Sequence, residues 1–192
     1  MTPLPAKLEV LDFLATRRST AAKTLTAPGP EGAALSDLLT LASRVPDHGK
    51  LAPWRFVAVT GDSRGTVAEA ALTRLADLGE DATSIEKARA VWATGATIVA
   101  VIFSPRESAK IPLWEQELAA GCVCLTLVNA ALASGWGANW LSGKLSRDQG
   151  FLAETLGCAP GEWAPGFIHL GTPRITPAER DRPDAAALTT WL

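Results

Sequence analysis

Residues 114–134 read WEQELAAGCVCLTLVNAALAS. Beyond its first turn this stretch has little polar surface, so it predicts a long helix that is apolar nearly all round and buried on most sides. Upstream, residues 96–103 (ATIVAVIF) carry two apolar faces, the pattern of a strand covered above and below. In a chain of 192 residues such a helix needs other layers, or a second subunit, to cover it.

Working outward, apolar spacing at Leu8, Leu11 and Ala15, with Leu14 beside them, predicts a helix over residues 8–18. Residues 20–32 turn polar and Pro/Gly-rich, a loop. A second amphipathic helix covers 33–44, and Pro46 forbids its smooth continuation. Residues 55–60 (RFVAVT) predict a strand closed by Gly61-Asp62. Ser63, Ser84 and Ser146 are expected to cap helices running to about Leu78, Trp92 and Gly157. Residues 135–140 and 166–170 (GFIHL) complete the strands, with a turn at Ser142-Gly143. Helices and strands mix without strict βαβ alternation, which predicts an α+β fold and not a doubly wound sheet. No repeat or linker divides the chain, so residues 1–192 are expected to form one domain.

Apolar residues make up 47 % and charged residues 20 %, within the ordinary globular range. A net charge of -2 gives no basic footprint, so no nucleic-acid partner is expected. The N-terminus lacks the basic start and continuous apolar core of a signal peptide. The longest apolar run, 118–132, is broken by Thr126 and Asn129 and is shorter than the ~20 residues of a membrane span. No membrane partner is therefore expected, and the location is read as cytoplasmic. Cys122, Cys124 and Cys158 match neither a zinc-ligand nor a C-x-x-C spacing, so they read as small buried residues in a reducing compartment.

Four stretches concentrate chemistry. Arg17-Arg18-Ser19 ends the first helix, where cations complement the dipole; paired guanidinium donors and a hydroxyl also suit a phosphate. Residues 44–50 (RVPDHGK) and 53–56 (PWRF) place Arg44 and His48 in a loop between two apolar elements, as capping residues or as ligand contacts. Glu115 and Glu117 start the long helix; two apart, they do not face each other, and a dipole role suffices. Residues 135–143 (GWGANWLSG) offer either close backbone approach to a planar ring or aromatic core packing. No G-x-G-x-x-G, Walker A lysine, nucleophile elbow or zinc-binding histidine pair is present.

In order, these segments, with Ala120-Gly121-Cys122 and the closing Leu170-Gly171-Thr172-Pro173, resemble the nitroreductase family, in its small YdjA-like branch. The resemblance runs from about Leu8 to the C-terminus. It implies a three-layer α+β sandwich, with a mostly antiparallel sheet flanked by helices, in a homodimer that holds FMN at its interface. It implies an FMN-dependent oxidoreductase in which NADH or NADPH passes hydride through the flavin to a small-molecule acceptor, nitroaromatic or quinone-like, in ping-pong order. An FMN-binding protein of the same fold, with a specialised reductive role or no nicotinamide-driven turnover, is the alternative. By the same match Arg17, Arg18 and Ser19 hold the phosphate and ribityl end, Arg44 and His48 border the flavin on one side, and Trp140, Leu141 and Ser142 on the other. Some relatives carry an arginine where Leu141 stands. Arg180 or Arg182, in the polar tail, is the candidate replacement cation, with surface solvation as its ordinary alternative.

Overall fold

The computed structural model describes residues 4–192. Among them, five strands form one sheet in which every pairing is antiparallel. The long strand β5 (Trp163–Pro173) lies at its centre; β3 (Thr97–Phe103) pairs along one edge and β4 (Gly137–Leu141) along the other. β2 (Trp54–Val59) extends the sheet beyond β3, and the two-residue β1 (Leu25–Thr26) pairs with the end of β5.

All seven residues of β3 are buried, and their alternation builds two cores. Ile98, Ala100 and Ile102 pack with Trp92, Phe151 and Phe167, under α3 (Ser63–Asp77), α4 (Ala82–Trp92) and α6 (Gln149–Leu156). Val99 and Val101 pack with Leu38, Val123 and Leu127, under α2 (Gly32–Ala42) and α5 (Leu113–Ala133). The result is the expected sandwich: helices, sheet, helices.

α5 is the helix anticipated from residues 114–134. At 21 residues it is long and apolar enough to cross a membrane, which the apolar run alone had not suggested. Its burial against the sheet gives it a core position, with Ala119, Val123, Leu127 and Ala131 turned inward. Cover is incomplete, however. Trp114, Leu118, Cys122 and Leu125 form an exposed row along its outer side. Cys122 is thus not the buried residue expected, whereas Cys124 and Cys158 are. α1 (Leu8–Thr16) buries none of its residues, so its apolar positions also face outward.

Three serine caps are corrected. Asp81 accepts the Ser84 amide at the start of α4, and Asp148 accepts the Phe151 amide at the start of α6. Asp62 precedes α3, while the Ser63 hydroxyl donates to the Thr60 carbonyl (2.7 Å). A carboxylate accepts from the third-residue amide as a serine does and adds charge at the positive helix end. Ser146 instead lies in a short turn, Lys144–Ser146, before α6. The loop expected over 20–32 contains β1, because long-range pairing with β5 supplies hydrogen bonds that local sequence does not announce.

Candidate functional site

The segment after α1 is pinned to the sheet: the Thr20 amide donates to the Ala138 carbonyl (2.9 Å), and Asn139 Nδ2 donates to the Thr20 carbonyl (2.9 Å). That anchor sets Arg17, Arg18 and Ser19 at the mouth of a cavity of about 120 Å³, whose other wall is the C-terminal tail at Ala178, Arg180 and Arg182. Four guanidinium groups therefore border one small space. Arg17 Nη2 donates to Ser19 Oγ (3.0 Å), which leaves the serine hydroxyl proton free to point elsewhere. Arg17 Nε is buried without a hydrogen-bond partner. Burial, then the neighbouring charges of Arg182 and Arg18, hold the Arg17 pKa below its ordinary value. Arg18 pairs with Glu179 of the same tail. The electrostatics are those of a receptor for a small, multiply charged anion: cations held together against their repulsion, with a donor unspent.

Arg44 and His48 stand elsewhere, beyond the end of α2, and neither lines this cavity. The loop that carries them is shaped by Asp47, whose carboxylate accepts the amides of Leu51 (3.2 Å) and Ala52 (2.8 Å). Lys50 and Ala52 both have positive φ, at 55° and 46°. Side chains rarely adopt that conformation, and such strain tends to collect at binding loops. His48 Nδ1 lies 2.6 Å from Glu115 Oε2, on the first turn of α5. The sequence reading had left Glu115 to the helix dipole. Its partner is 67 positions away, so no spacing rule could have found the pair.

Trp140, Leu141 and Ser142 leave the end of β4 in different directions. Trp140 seats on Gly166, where a Cβ would collide with its indole, and Nε1 donates to the Pro165 carbonyl (2.9 Å). Between the two readings of the glycine-rich stretch, this tryptophan follows the packing one, though 40 % of its surface stays exposed. Leu141 and Ser142 line a separate cavity beside α4. Within one chain, then, the structure gathers Arg17, Arg18 and Ser19 with both tail candidates, Arg180 and Arg182, and leaves Arg44, His48 and residues 140–142 apart.

Comparison with known proteins follows the same lines. A family model described as the nitroreductase family matches residues 14–172. The Escherichia coli K12 protein named "Putative NAD(P)H nitroreductase YdjA" is 32 % identical over 186 residues, covering 96 % of this chain and all of that one. Among solved structures, a nitroreductase-like family protein from Bacillus cereus superposes with a TM-score of 0.77 at 23 % identity, covering 100 % and 98 % of the two chains. A nitroreductase with bound FMN from Bacteroides fragilis gives 0.73 at 18 % identity, covering 96 % and 98 %. These last two speak for the fold. With a family model matched over residues 14–172 and a relative aligned over 96 % of this chain, the chain belongs to the nitroreductase family.

Proposed function

We propose that this protein is a cytoplasmic, homodimeric FMN-dependent oxidoreductase that passes electrons from NADH or NADPH to a small oxidised acceptor, one half-reaction after the other. The observation that carries the reading is the arginine cavity. Four guanidiniums, a serine hydroxyl and the unpartnered Arg17 Nε suit the dianionic phosphate of FMN, and the volume admits a tetrahedral oxyanion. Arg180 and Arg182 both reach it, so the tail supplies the charge that Leu141 does not. The relative compared above carries the name "Putative NAD(P)H nitroreductase", and one structural neighbour holds FMN. When bound, FMN supplies the redox chemistry, and the protein supplies binding, orientation and electrostatics.

The chain's own part is then specific. Arg17, Ser19, Arg180 and Arg182 fix the phosphate, with Arg18 available once Glu179 gives way. Glu115 accepts from His48 Nδ1, which orients the ring of this largely exposed residue. Free thiols suit a reducing compartment. Leu118, at 61 % exposure, and the uncovered α1 give a second copy an apolar surface to bury. In a dimer, residues that one chain keeps apart (Arg44 and His48, Trp140 to Ser142) are free to meet across the interface.

The direct test is the visible spectrum of the purified protein with NADH or NADPH in the absence of oxygen. One FMN per chain, bleached by a nicotinamide, is the expected result. A stoichiometric flavin that no nicotinamide bleaches would favour the non-turnover alternative, and a protein that takes up no FMN would end the proposal. The dimer has its own test: Leu118→Glu should bring the solution mass from twice 20.1 kDa to the single-chain value by light scattering. A wild-type protein already at the single-chain mass would refute it.

A further inference from the structure

β5 ends at Pro173, and the next amide, that of Arg174, donates to the Thr24 carbonyl (3.0 Å). Beyond that bond the chain runs over the surface. Every residue from Ala178 to Leu192 is exposed, and Leu188 and Trp191 keep 74 % and 87 % of their surface. The hydrogen bonds of residues 175–192 stay within the segment: the Arg180 amide donates to Glu179, the Ala186 amide to Asp184, and the Thr189 hydroxyl to the Ala185 carbonyl. Among the described residues, one polar contact ties it back, the ion pair of Glu179 with Arg18.

That pair is a weak tie. Two thirds of the Glu179 side chain is exposed, so water competes for it. Ile175, Leu188 and Trp191 are exposed as well, so little apolar packing adds to it. The segment nevertheless sets Arg180 and Arg182 opposite Arg17, Arg18 and Ser19. Four guanidiniums around one small space repel one another, and the lowered Arg17 pKa reflects burial first and then the charges of Arg182 and Arg18. Glu179 offsets one of the four. A dianion between the two walls offsets more, and it offers the same acceptor oxygens to both.

We propose that residues 175–182 are a strap and that the phosphate of FMN is its clasp, tying Arg180 and Arg182 to Arg17 and Ser19. The proposal rests on the flavin reading above and adds a conformational consequence to it. Phosphate binding and strap closure favour each other by the same factor. Riboflavin, which lacks the phosphate, leaves the strap as loose as in flavin-free protein.

The test is limited trypsin digestion, read by intact mass as loss of residues 175–192 after cleavage at Arg174, which does not line the cavity. Such cleavage follows the open fraction of the segment. Saturating FMN should slow it about tenfold, and riboflavin hardly at all. In a variant carrying both Arg180→Ala and Arg182→Ala, at exposed positions, FMN that saturates by absorbance should no longer protect. Rapid cleavage of wild type with FMN bound, or equal protection by FMN and riboflavin, would overturn the proposal. So would slow cleavage without any ligand, the mark of a tail already packed on a second copy. If the chain takes up no FMN, the flavin reading fails and the strap is judged by inorganic phosphate at constant ionic strength. Slower cleavage then sustains it, and unchanged cleavage ends it.

Discussion

Glu162→Ala is expected to lower the free energy of unfolding by about 2–4 kcal/mol, or roughly 5–15 °C in melting temperature for a chain of this size. Glu162 is 7 % exposed just before β5, and its carboxylate takes two donors from Arg55 on β2, Nε (2.9 Å) and Nη2 (2.7 Å). It also accepts the Ala159 amide (2.9 Å). Arg55 Nη2 reaches further, to the Gly157 carbonyl (3.1 Å). One fork thus ties β2, the end of α6 and the start of β5 together. Truncating the acid leaves a guanidinium and an amide without their acceptor. Because a third of the Arg55 side chain is exposed and can recover water, the loss falls below that of a fully buried pair.

The same contact has a pH signature. The Arg55 hydrogen bonds hold the Glu162 pKa down to about 2, from an ordinary 4.5. Between those values the unfolded chain binds a proton that the folded chain refuses, so folding loses stability as pH falls. The contribution is complete above about 4.5 and gone below about 2. Chemical denaturation across that range should show wild type converging on Glu162→Ala. Parallel curves would deny the ion pair its role.

Arg17→Ala is the second large effect. Removing one charge-assisted donor from a phosphate costs about 1.5–3 kcal/mol, equivalent to a 10- to 150-fold higher Kd for FMN. Arg17 should be more sensitive than Arg18, whose charge Glu179 already engages. Fluorescence titration with riboflavin, which lacks the phosphate, is the control: its affinity should hardly move. Unchanged FMN affinity would remove Arg17 from the site, while equal losses for both ligands would point to a misfolded pocket.

Much of the layering could be read along the chain because its causes are local or periodic. The double apolar face of residues 96–103 became the central core strand, and the apolar run of 114–134 became a core helix. The Arg17-Arg18-Ser19 cluster and the special loop at 44–50 were also visible, since arginine pairs and Pro/Gly density mark themselves. Boundaries and caps were less legible: aspartate and serine compete for the same third-residue amide, and only the packed helix end decides between them.

What needed the tertiary structure was every pairing across distance. Arg180 and Arg182 close the anion cavity only because the tail folds back over residues 17–19. Glu115 meets His48, and Glu162 meets Arg55, through contacts 67 and 107 positions apart. Periodicity and turn chemistry act over a few residues, so the sequence by itself determined the elements and their apolar faces. Charge pairing and cavity formation depend on which faces meet, and only the folded sheet with its two helical layers decided that.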